Sequence, residues 1–168
     1  MQRRRLLALG ALSAAVLAVS GVSIALVQPG LANARLTAAG RDVFAAIGHA
    51  ILEGTLPADE ARRQAAIAGL LDRIDALVAA LPPHAQSELS QLVALLASTP
   101  GRRALAGVPA PWREASVSEV QQGLQAMRVS GLALRRQAYQ ALHDIVGGAY
   151  FSDSQTWSAL GYPGPLAI

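Results

Sequence analysis

Neither cysteine nor lysine occurs in these 168 residues. Without a thiol, disulfides, thiolate catalysis, iron–sulfur ligation and c-type haem attachment are excluded for this chain. Without lysine, all 14 basic side chains are arginines, which alone lifts the isoelectric point to about 10.2. Three of them, Arg3, Arg4 and Arg5, sit at the very start, so residues 35–168 hold 11 arginines against 11 acids. A balanced body lacks the one-sided basic surplus that nucleic-acid binding requires, and near-zero net charge favours association. Period-two alternation is also missing, so no strand is expected. No serine sits in a Gly-x-Ser-x-Gly elbow, and no glycine-rich loop follows a strand.

What is present begins with the leading segment. Arg3-Arg4-Arg5-Leu6-Leu7 opens a run without charge from Leu6 to Val27, followed by Gln28-Pro29-Gly30 and then Ala32-Asn33-Ala34. A basic start, an apolar middle and a small-x-small end make a bacterial export signal, with cleavage expected after Ala34. Paired arginines, one residue and two leucines (Arg3, Arg4, Leu6, Leu7) resemble the twin-arginine signal, with Gln2 where Ser or Thr is usual. Such export carries folded proteins, which often hold a cofactor or travel with a partner that does. The alternative is an uncleaved anchor, since the run is long enough to span a bilayer. Either way the body is expected in the periplasm, with inner-membrane attachment through the apolar segment as the open option.

The body, residues 35–148, reads as a single-domain, all-α helical bundle. Thr37 caps a first helix to about Glu53, with Val43, Ile47 and Ile51 on its apolar face and Gly54 as its stop. Pro57, Asp59 and Glu60 open a second, with the stripe Ile67, Leu70, Ile74, Leu77 and Leu81, broken at Pro82-Pro83. Leu89, Leu92 and Leu96 mark a third, ended by Thr99-Pro100-Gly101. Residues 101–115 read as a connector with one turn at Arg102 to Ala106. From Ser116 to Val146, positions 117, 120, 124, 127, 131, 134, 138, 141 and 145 form an unbroken three–four seam, predicting one long helix. Ser116 with Glu119 offers its capping box, and Gly131 marks a close crossing or a mild kink. Gly147-Gly148 is expected to close it, with Asp153 capping a short turn through Trp157 and Leu160.

Catalytic candidates are few. His49 and Glu53 stand one turn apart, but two ligands do not make a metal site. His143 and Asp144 are adjacent, and adjacent helical positions point about 100° apart, so they are expected not to face each other. Asp72 and Asp75 share a helix face without a third partner, which reads as a solvated face. Nothing here makes the chain an enzyme by itself.

The C-terminal segment, residues 149–168, differs in composition. Of seven aromatics, Tyr139, Tyr150, Phe151, Trp157 and Tyr162 fall within 24 consecutive residues, and Arg128 and Arg135 lie on the stretch leading into them. Tyr, Trp and Arg are enriched at the energetic centres of interfaces. The candidate partner surface is therefore Arg128, Arg135, Tyr150, Phe151, Trp157, Tyr162, Pro163 and Pro165, the prolines pre-ordering the tail. The alternative is an internal lid, chiefly through Phe151 and Trp157.

Ala149-Tyr150-Phe151-Ser152-Asp153, then Thr156-Trp157, then Leu160-Gly161-Tyr162-Pro163-Gly164-Pro165 resembles the tail of small exported subunits of membrane-associated flavin dehydrogenases. The subunit 3 group of gluconate 2-dehydrogenase is the nearest such group. The resemblance covers the signal and about the last forty residues, and the cysteine-bearing tail of some relatives is absent. It implies a non-catalytic helper without a cofactor of its own. The helper would bind a larger flavoprotein of the glucose–methanol–choline type, with FAD in that partner, and support its folding and export. A free periplasmic binding or chaperone-like helical module, and a stand-alone enzyme or metal protein, remain the other readings.

Overall fold

A computed structural model describes residues 28–162. Arg3, Arg4, Leu6, Leu7, Pro163 and Pro165 lie outside the described residues, whereas Ala32 and Ala34 lie within them. The body is all-α as expected, with one small exception at its start. Strands β1 (Leu31–Ala32) and β2 (Arg35–Leu36) pair antiparallel, Leu31 opposite Leu36 and Ala32 opposite Arg35. Asn33 and Ala34 between them have φ of 51° and 56°, the left-handed pair that a two-residue type I′ turn requires. Asn tolerates that region because its short polar side chain substitutes locally for water.

Helix α1 (Ala38–Ile51) starts where Thr37 Oγ1 accepts the Gly40 N–H at 3.3 Å. Val43, Phe44 and Ile47 on its inner face are completely buried, while Ile51 is only half-buried. Helix α2 (Glu60–Ala79) is capped by Asp59, whose carboxylate accepts from the Arg62 N–H at 2.9 Å. Its buried stripe is Ile67, Leu70, Leu71, Ile74 and Val78, so the seam turns away from Leu77 and Leu81, which are half-buried. Helix α3 (Pro83–Ala97) begins on Pro83, where a missing N–H costs nothing, and buries Leu89, Leu92, Val93 and Leu96.

The third helix ends at Ala97, just before Thr99-Pro100-Gly101 as expected, but the helical path resumes at once. Ser98 closes α3 and its Oγ then accepts the Gly101 N–H at 3.1 Å, starting a one-turn α4 (Thr99–Gly101). A π-helical turn (Arg102–Ala106) follows, ended by Gly107 at φ 72°. The connector after it is pinned from inside. Trp112 is buried and its indole N–H donates to the Leu96 carbonyl at 2.7 Å, while buried Arg102 donates to the Val108 and Pro109 carbonyls.

The expected single long helix is two helices. Helix α5 (Val117–Arg128) opens with the Ser116–Glu119 capping box, and α6 runs from Ala133 to Phe151. Between them the chain breaks at Val129–Leu132, where Ser130 Oγ accepts the Leu132 N–H at 3.2 Å. A Cβ placed on Gly131 would meet nothing within 4 Å, so this glycine marks a break and not a close crossing. Gly147 and Gly148 do not stop α6 either. The helix continues because Ala149 and Tyr150, the next two residues, are buried in the core, and that packing outweighs glycine's weak helix propensity. One hydrophobic core joins α1, α2, α3, α5 and α6, with Leu31 and Leu36 of the hairpin and Trp112 at its margins.

Candidate docking surface

The C-terminal aromatics are built on the end of α6. Arg73 of α2 donates from Nε to the Ala149 carbonyl at 2.8 Å and from Nη1 to Asp153 at 3.2 Å, which fastens that end to the body. Asp153 Oδ1 also accepts the Gln155 N–H at 3.0 Å, so it caps the following 3₁₀ turn (Ser154–Leu160) as expected. Thr156 Oγ1 donates to the Asp153 and Tyr150 carbonyls, and the Trp157 indole N–H donates to the Phe151 carbonyl at 2.8 Å. The turn closes in Schellman fashion. Gly161 takes φ 67°, and the Tyr162 N–H reaches back to the Trp157 carbonyl at 3.1 Å. That geometry sets the Trp157 and Tyr162 rings edge to face with centroids 5.4 Å apart. Trp157 is half-buried and Tyr162 is 49% exposed.

Tyr150 leaves the expected contact set. It is 3% exposed, stacks edge to face on Phe151 at 5.1 Å, and points its hydroxyl at the Thr55 carbonyl at 3.5 Å. Burial pushes its phenol above the usual value; Arg73 opposes this and Asp153 adds to it. Its position one turn past Ile145 and Val146 on the inner face of α6 made it core. Phe151 is half-buried and packs against that core, so it too belongs partly to the body.

Of the arginines, Arg135 is committed internally: its Nε donates to the Leu105 carbonyl at 2.9 Å, bracing the π turn. Arg128 is exposed and, among the described residues, its Nε donates to Gln125 of its own helix at 3.0 Å. Beside it lies a feature the sequence reading missed. Val129 and Leu132, flanking the α5–α6 break, are each 66% exposed and are the most exposed large hydrophobics among the described residues. The Ser130-Gly131 pair was the signal for a loop there.

The remaining candidates are structural in their surroundings. Asp72 and Asp75 do have a third partner, because Arg41 of α1 bridges them at 3.0 and 2.9 Å. Asp75 also accepts the Leu36 N–H at 2.8 Å. His143 and Asp144 approach more closely than expected, Nδ1 to Oδ1 3.6 Å, since side-chain rotation recovers the angle between adjacent positions. The same Oδ1 already accepts from Gln140 at 2.7 Å, and both side chains are about half exposed. Among the described residues no three His, Asp or Glu side chains converge as metal ligands, and no helix is long and apolar enough to cross a membrane. No described protein family, no curated protein and no solved structure matches this chain.

Proposed function

We propose that this chain is a non-catalytic, exported accessory subunit that supports the folding, export or assembly of a larger periplasmic flavin-dependent dehydrogenase. The observation that carries the reading is the aromatic corner at the end of α6. Trp157 and Tyr162 are held in one geometry by the 3₁₀ turn and its Schellman closure, yet Tyr162 keeps half its surface exposed. A rigid aromatic with free surface loses little entropy on docking, which is what the centre of an interface needs. The resemblance of Ala149–Pro165 to small dehydrogenase subunits supplies the kind of partner. In this reading the flavin and the chemistry belong to the partner, and no residue of this chain is assigned to either.

A second reading, the free-standing helical module, is favoured by a different observation: the Trp157 indole N–H is already spent on the Phe151 carbonyl, as a lid residue's would be. Copurification from the native host separates the two. Under the subunit reading a flavoprotein comes with the wild-type chain, and Tyr162→Ala abolishes its recovery while helical circular dichroism is unchanged. Recovery of the monomer alone sinks the subunit reading and leaves the free module.

A further inference from the structure

We infer that the peptide bond after Ala34 is not cut, and that the apolar run from Leu6 to Val27 stays joined to the folded body and holds it on a lipid bilayer. The inference stands apart from the partner reading, since a free helical module would be tethered in the same way.

The two small residues that mark the expected cut, Ala32 and Ala34, are parts of a folded hairpin. Ala32 pairs with Arg35, and Ala34 sits in the turn at φ 56°. A peptidase that reads small-x-small needs these residues in extended chain, so that both side chains enter its pockets. A two-residue turn with both residues left-handed is the reverse of that shape. Extending it means peeling the hairpin from the bundle, and the hairpin is fastened on both strands. Leu31 and Leu36 are buried. The Leu31 N–H donates to Ser90 Oγ at 3.1 Å, and the Leu36 N–H donates to Asp75 at 2.8 Å.

The residues upstream of the turn are as firmly seated as those after it. A Cβ on Gly30 would stand 2.5 Å from Val93 Cβ and 2.7 Å from the Ser90 carbonyl, so its bare backbone rests directly on α3. The Gly30 carbonyl accepts the Thr37 N–H at 3.0 Å and the Thr37 hydroxyl at 3.1 Å, beside the α1 cap. A cut after Ala34 would remove Gly30 and Leu31, uncover Val93 and leave the Ser90 hydroxyl and Thr37 N–H without these partners. An excised leader is normally no part of the fold it leaves; here its last residues are core. Ahead of Gly30 the uncharged run ends only three positions earlier, at Val27, and its length suffices to span a bilayer.

The full chain is produced in a bacterium with a working twin-arginine system, and spheroplasts are treated with protease before membranes are washed with carbonate. The expected product has the mass of the uncut chain, resists the wash, and has a body that external protease can digest. Ala32→Leu provides the second reading. Ala32 is exposed on a strand, so leucine fits the fold there, but it blocks a small-residue pocket. Wild type and Ala32→Leu should differ in mass by the substitution alone. A product beginning at Arg35, a leader-sized gain in mass for Ala32→Leu, a body recovered in the soluble fraction, or a body that external protease cannot reach would each overturn the inference.

Discussion

The two ends of the described body are attached in opposite ways. The hairpin at residues 29–36 is held by bonds that span the sequence, from Leu31 to Ser90 and from Leu36 to Asp75, and its leucines enter the common core. The 3₁₀ turn at Ser154–Leu160 is held mostly by its own neighbourhood: Thr156 to Tyr150, Trp157 to Phe151, Tyr162 to Trp157. A distant tie comes from the partly exposed Arg73–Asp153 pair. Long-range contacts make a segment part of the cooperative unit, whereas local ones let it open alone. The first end is therefore built into the body, and the second is carried on it with surface to spare.

The largest effect comes from removing each end in turn. A chain starting at Arg35 loses Leu31 burial and the bonds through Leu31 and Gly30, and should fall in stability by about 2–4 kcal/mol. A chain ending at Leu160 loses, among the described residues, the Tyr162 contacts with Trp157 and should fall by less than about 1 kcal/mol. Urea unfolding followed by circular dichroism measures both. Equal losses would erase the distinction between the ends. Next in size is Asp75→Ala, which strips the Leu36 N–H and Arg41 of a common acceptor that is 13% exposed. It should cost about 1.5–3 kcal/mol. Asp153→Ala, at a more exposed carboxylate at the other end, should cost about 1 kcal/mol or less. A smaller change has the opposite sign. Ala34→Gly relieves a left-handed alanine in the turn and should raise stability by up to about 1 kcal/mol. No gain would mean that the hairpin does not constrain its turn.

The helical class and most helix starts were legible because capping is local chemistry. Thr37 and Ser116 each announce a helix and each caps one in the structure, and Asp59, read with Pro57 as part of the second helix's start, is its cap; Pro83, read as the break of that helix, also begins the next. The α5–α6 break was hidden because Gly131 and Leu134 continue the three–four spacing by coincidence, so periodicity ran straight across a loop that Ser130-Gly131 marked. Gly147-Gly148 misled in the other direction, because a helix end is decided by what packs beyond it, and Ala149 and Tyr150 are core. The hairpin escaped because two-residue strands carry no period; Asn33 in a type I′ position was its one local cue. Trp112 and Arg102 are buried by contacts with Leu96 and Val108 that no local pattern encodes. For the candidate surface, composition found the aromatic corner but could not divide Tyr150 from Tyr162. They differ in which side of a turn they fall on, and that depends on α6 continuing past its glycines.

Tyr150 is where the two ends meet in one side chain, since it sits at the C-terminal end yet reaches the Thr55 carbonyl across the body. Burial holds its phenol above the ordinary tyrosine value, with Arg73 pulling the other way and Asp153 adding to the rise. In the unfolded chain the same phenol ionises near its ordinary value. Below that value both states keep the proton and stability does not depend on this group. As pH rises past it, the unfolded state loses a proton that the folded state retains, so stability falls and is lost progressively toward the folded value. With neither lysine nor cysteine in the chain, tyrosine is the one side-chain type left that titrates in that range, and the comparison with Tyr150→Phe isolates this one. Urea midpoints measured from about pH 9 to about pH 11 should decline for the wild type. Tyr150→Phe should flatten that decline while costing little at neutral pH, because the hydroxyl's bond to Thr55 is long at 3.5 Å. A decline of the same slope in Tyr150→Phe would place the alkaline sensitivity elsewhere and loosen the tie between the C-terminal end and the core.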